Sequence, residues 1–147
     1  MAVKVTVLKS AEIKRRVDML IFGHPLIQTE QWFKVNLVSS IDSTTPNCTI
    51  VIADIEKYAD IAKHCKENSV DFACEVSSIK QAVIANALNA DYILCRDKTQ
   101  AVEIQKVANE YLWSAKVISV IEDENDIENI AKLGIDGAVI SSHIKSC

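Results

Sequence analysis

Glycine is scarce in this chain: three residues in 147, with two prolines. That scarcity bears directly on nucleotide binding. A dinucleotide fingerprint, G-x-G-x-x-G, needs its first glycine for a tight turn. The second admits the pyrophosphate, and the third lets helix pack on strand. The one stretch in a suitable context, "GHPLIQ" after the apolar run "VDMLIF", offers Gly23, Pro25 and Gln28 at those positions. Gly23 keeps the turn. Pro25 removes an N–H that would point at phosphate, and Gln28 adds bulk. NAD in the standard pose is therefore disfavoured. An anion site at the N-terminus of a following helix, with His24 as an added donor, stays open.

Other absences narrow the field. No apolar run approaches the roughly 20 residues of a membrane span. The N-terminus has no apolar core or cleavage site of a secretory signal. Five cysteines, Cys48, Cys65, Cys74, Cys95 and Cys147, form no C-x-x-C pair, and His24, His64 and His143 lie far apart. Disulfides and a metal centre are not expected, and a reducing cytoplasm is. Cys74 and Cys95 sit in apolar runs, where cysteine acts as a small buried hydrophobe. There is no G-x-S-x-G elbow, no Walker loop and no D-x-D-x-D-G calcium spacing in "EDENDIE" (122–128). That acidic run reads as a helix start. The net charge of −4 argues against nucleic acid.

What is present is a regular alternation. Apolar runs at 17–23, 48–53, 70–76, 90–96, 115–121 and 136–141 read as strands. Helical periodicity fills 26–41, 54–68, 77–89, 98–113 and 123–134, with a turn cluster at 42–47. Trp32 and Trp113 fall on helices in this reading and serve packing or an interface. The strands are continuously apolar, as when both faces are covered. The expected fold is α/β: a Rossmann-like, doubly wound, six-stranded parallel sheet with helices on both faces. A TIM barrel needs eight units and about 200 residues or more, so the chain looks too short. A half-barrel or flavodoxin-like order remains compatible.

Several phrases add a resemblance. "RRVDMLIFGH", "TIVIADIEKYADIAK" and "VDFACEVSSIKQAVIANALNADYILCRDKTQAVEIQKVANE" resemble successive parts of the RCK domain, the TrkA N-terminal domain that regulates potassium channels and transporters. "AKVISVIEDENDIENIAKLGIDGAVISSHI" is similar to its end, and Gly23-His24-Pro25 looks like the G-H-S of Kch-type channels. The resemblance implies a basic linker at 1–16 and one domain at 17–147. It implies a cytoplasmic, ligand-sensing, non-enzymatic regulator at the inner face of the membrane. Such a domain would pair as a homodimer or larger ring and act on a potassium channel or transporter subunit, without inserting in the membrane itself. Its crevice would be lined by Gly23, His24, Asp54, Glu75 and Arg96. Asp54 stands for the ribose acid or a helix cap, and Glu75 for the acid near the adenine. The ligand is left unnamed, with an adenine nucleotide a candidate. Where calcium-gated relatives carry acids, this chain has Arg96, Val120 and Glu122, so calcium is not expected. The alternatives are a small nucleotide-dependent enzyme, or a ligand-free dimerisation scaffold.

Overall fold

A computed structural model describes residues 18–146. The strands are β1 (Leu20–Phe22), β2 (Trp32–Lys34), β3 (Thr49–Ile52), β4 (Phe72–Glu75), β5 (Tyr92–Cys95), β6 (Lys116–Ile121), β7 (Gly137–Ile140) and β8 (Ile144–Ser146). The helices are α1 (Ala59–Glu67), α2 (Ile79–Ala87), α3 (Lys98–Tyr111) and α4 (Ile127–Lys132), with short 3-10 turns at Val38–Ser43, Glu124–Asp126 and Ser141–His143. The proposed linker at 1–16 lies outside the described residues.

The helices form where the sequence supplies an apolar stripe, and α2 and α3 carry a side-chain cap as well. In α1, Ile61, Ala62 and Cys65 make the buried face. At the start of α2 the Ser78 hydroxyl accepts from the Gln81 N–H (3.1 Å), and the Gln81 side chain accepts from the Ser77 N–H (2.8 Å). The first bond satisfies an N–H that the helix leaves open, and the second ties the residue before the cap to the first turn. Asp97 caps α3 by accepting from the Thr99 N–H at 2.9 Å. The α3 helix stops at Leu112, whose φ of 53° turns the chain left-handed.

All pairings in the sheet are parallel, in the order β1-β7-β6-β5-β4-β3-β2-β8. Two corrections to the expected fold follow. The sheet has eight strands, not six: β2 lies inside the segment read as a helix over 26–41, and β8 lies beyond the last strand expected. It is also not doubly wound. From β2 to β7 each strand lies beside its predecessor, with no reversal of direction and hence no switch point. Right-handed crossovers in one direction put every helix on the same face.

The core confirms one-sided winding. One apolar cluster joins all four helices to Ile50, Ile52, Phe72, Cys74, Ile93, Cys95, Val117, Ile121 and Ala138. The alternate strand residues Phe22, Trp32, Val51, Ala73, Leu94, Ile118, Val120 and Val139 form a second cluster that contains no helix residue. The sheet buries this second face against itself. In a flat sheet of this order β1 and β2 would stand six strand spacings apart, roughly 29 Å. Instead the Phe22 and Trp32 rings lie 4.7 Å apart, and Trp32 meets Tyr92 of β5 at 5.2 Å. The sheet is rolled into a barrel. Its ends are joined by the chain itself: β7 pairs with β1, and three residues later β8 pairs with β2. Length did not exclude a barrel, because the chain from β1 to β3 dispenses with full α-helices.

Burial also sets the thiol chemistry. Desolvation pushes Cys65 from 9.0 to about 11, and Cys74 and Cys95 to about 12. The unfolded thiols ionise near 9.0, whereas the folded ones do not. Their contribution to stability is full below pH 9 and is lost as pH rises towards 11 or 12. Each should cost about 1.4 kcal/mol per pH unit in that window. Urea unfolding at pH 8 and pH 10.5 measures this; equal stabilities would contradict it.

Candidate functional site

Strand alternation carries the inner apolar layer up to a polar ring. Two residues beyond Phe22, Trp32, Val51, Ala73, Leu94, Val120 and Val139 stand His24, Lys34, Ala53, Glu75, Arg96, Glu122 and Ser141. Each lies at the C-terminal end of its strand. Observed bonds tie neighbours in this ring together. Arg96 Nε donates to Glu75 Oε2 at 3.0 Å, and a second guanidinium nitrogen reaches Oε1 at 3.5 Å. Ser141 Oγ donates to Glu122 Oε1 at 3.2 Å. His24 Nδ1 accepts from the Leu26 N–H at 3.1 Å, which leaves the proton on Nε2, 3.4 Å from Glu124 Oε2. Lys34, half-buried, has no ion-pair partner among the described residues.

Below the ring the barrel is closed by aromatic side chains. Phe22, Trp32 and Tyr92 touch one another at 4.7 to 5.3 Å. Beneath them Glu30 accepts from the Trp32 indole N–H (3.3 Å) and from the Thr49 hydroxyl (3.2 Å). Burial raises the Tyr92 phenol to about 12, with the nearby Glu30, Asp71 and Asp91 carboxylates adding to it. The interior is packed, and chemistry is confined to its ends.

Two cavities open at the opposite end, around the starts of the strands. One, of about 410 Å³, is bordered by Asp42, Asn47, Cys48 and Asp71. The other, of about 560 Å³, is bordered by Gln105, Asn109, Trp113 and Asp136. Concavity alone would favour them. The ring is the stronger candidate, because side chains from several strands converge there and barrel enzymes work at that face.

The residues singled out from the sequence fall as follows. Glu75 and Arg96 are brought together as an ion pair. His24 stands on the same ring. Gly23 adopts φ 93°, as a tight turn requires, and a Cβ there would lie 2.8 Å from His143 Cβ. No helix follows it: Ile27 N donates to His24 O in an isolated turn, and the chain runs on to β2. The helix N-terminus expected to receive an anion after Gly23 is absent. Asp54 Oδ1 accepts from the N–H groups of Glu56 (3.1 Å) and Lys57 (3.4 Å), which closes the turn before α1. Lys34 escaped notice because its segment was read as a helix. Among the described residues no group of three or more His, Cys, Asp or Glu side chains is arranged to hold a metal ion, and no helix is long and apolar enough to cross a membrane.

No family model and no curated protein matches the chain. A solved structure described as native KDPGal, an aldolase, is similar to it, with a TM-score of 0.60 at 16% identity. The match covers 75% of this chain and 55% of that one, so the chain spans little more than half the length of its neighbour. At this identity the likeness concerns the fold. It still corrects the reading of a non-enzymatic regulator of potassium channels or transporters. The crevice that reading relied on has no switch point here, and the shared fold is one that carries an enzyme.

Proposed function

We propose that the chain is an aldolase-like barrel enzyme acting on a small carbonyl compound at the ring above the aromatic layer. The observation that carries this reading is that strand ends and alternation put Lys34, Glu75, Arg96 and Glu122, from four different strands, on one end of a packed apolar interior, with Glu75 and Arg96 in direct contact. The KDPGal aldolase with a similar fold supports the reaction class by analogy only.

In this reading the Lys34 amine, once deprotonated, attacks the substrate carbonyl carbon. Loss of water leaves a protonated imine, which withdraws electrons from the adjacent carbon. A C–H or C–C bond at that carbon then breaks, and its electron pair enters the imine system. Glu122 is the acceptor for the proton released, and Ser141 orients that carboxylate through their 3.2 Å bond. The enamine so formed takes a proton back at that carbon from Glu122, and hydrolysis of the regenerated imine returns Lys34.

The test is reductive trapping. Incubation with pyruvate or dihydroxyacetone and sodium borohydride should add the reduced carbonyl compound to the peptide containing Lys34, as read by mass spectrometry. The Lys34→Arg protein should gain nothing at that peptide. Absence of an adduct across a panel of small aldehydes and ketones, or its appearance only on exposed lysines, would overturn the proposal.

A further inference from the structure

Arg96 carries five N–H donors, and the ion pair with Glu75 engages two of its nitrogens. The side chain is 52% exposed and Glu75 only 23%. The guanidinium is therefore the more accessible partner of the pair. Glu75 presents two oxygens to the guanidinium, at 3.0 and 3.5 Å, in the two-point manner by which arginine recognises a free carboxylate or phosphate. Between this pair and Lys34 the ring position is Ala53, which fills little space. The strand-to-helix connections beside the pair are short. Thus α2 and α3 begin three to four residues after β4 and β5 and direct the positive ends of their dipoles to this side.

We propose that Arg96 anchors an oxyanion, carboxylate or phosphate, of the substrate, and that Glu75 is a built-in competitor holding the guanidinium in the free protein. The inference rests on the ring being the active site and extends it to a substrate class: small carbonyl compounds that also carry an anionic group. Binding exchanges one anion for another at Arg96. Glu75 thereby weakens the capture of anions too poorly matched to displace it, and acts as a specificity-determining residue.

The test needs no turnover. Inorganic phosphate and sodium acetate are titrated separately into the protein at constant ionic strength, and the Arg96 Nε–Hε resonance is followed by NMR. Saturable shifts are expected, and whichever anion binds more tightly identifies the anionic group. Glu75→Gln should tighten that anion about tenfold, and Arg96→Ala should abolish the saturable shifts at neighbouring backbone amides. Arg96 is half-exposed and Glu75→Gln keeps the shape of the side chain, and thermal unfolding checks that the variants remain folded. No saturable binding in the wild type, or equal or weaker binding in Glu75→Gln, would overturn the proposal. The titration reads nothing at Lys34, so its result is separable from that of borohydride trapping.

Discussion

Replacing Trp32 by alanine should cost about 3–5 kcal/mol in urea unfolding, the range for truncating a large buried aromatic. Trp32 is fully buried and is the largest side chain inside the barrel. It touches Phe22 of β1 and Tyr92 of β5, which only the rolled sheet brings near it. Its indole N–H also shares Glu30 with the buried hydroxyl of Thr49. The alanine variant therefore leaves a cavity and an acceptor with one donor fewer. Trp32→Phe separates the two effects: it keeps a ring in the layer and loses the hydrogen bond, so a smaller loss of about 1–2 kcal/mol is expected. A loss below 1 kcal/mol for the alanine variant would mean that the two ends of the sheet do not pack around this residue.

The sequence made some of this legible. From β3 to β7 each apolar run became a strand, and each capped stripe became a helix. The signals there are local: β-branched runs such as "TIVI", an N-cap serine with glutamine three residues on, and a stripe of Ile61, Ala62 and Cys65. The segment at 26–41 misled because its apolar residues have mixed spacing, and β2 is three residues long, too short to show a period. The rolling of the sheet was not legible for a different reason. Doubly wound sheets and barrels share the same local β-α-β rhythm and differ in strand order, which long-range pairing decides. Within the ring, Glu75 and Arg96 were singled out through the resemblance to the RCK domain, which lines its crevice with strand-end residues; a barrel gathers its strand ends at one mouth as well, so the two positions carried over although the crevice did not. Lys34 needed β2, and Glu122 was absorbed into the acidic helix start that follows it.

Gly137→Ala should be as damaging as the loss of Trp32, for a reason that lies in the backbone. Gly137 pairs with Leu20 of β1 on one side and Ile118 of β6 on the other. A Cβ there would lie 2.4 Å from the Leu20 carbonyl oxygen, 2.8 Å from Leu20 Cβ and 2.9 Å from Ile118 Cδ1. The Ile118 methyl can rotate away. The Leu20 carbonyl belongs to the strand that β7 holds in place, so relief requires β1 to move. Overpacking against a backbone that cannot yield puts the cost at about 3 kcal/mol or more. The loss should be local before it is global, with amide exchange at Leu20, Ile21 and Phe22 accelerated ahead of β3 to β6. Gly134→Ala is the control. Nothing lies within 4 Å of its added Cβ, and only its φ of 74° opposes the substitution, at a cost of about 1 kcal/mol. Equal effects at the two glycines would mean that backbone conformation alone is felt, and that β1 does not lie against β7 closely enough to complete the barrel. A much larger effect at Gly137, with exchange confined to β1, is what a sheet closed through β7 and β8 requires. The same closure brings Phe22 against Trp32 and so underlies the end of the barrel that carries Lys34, Glu75 and Arg96.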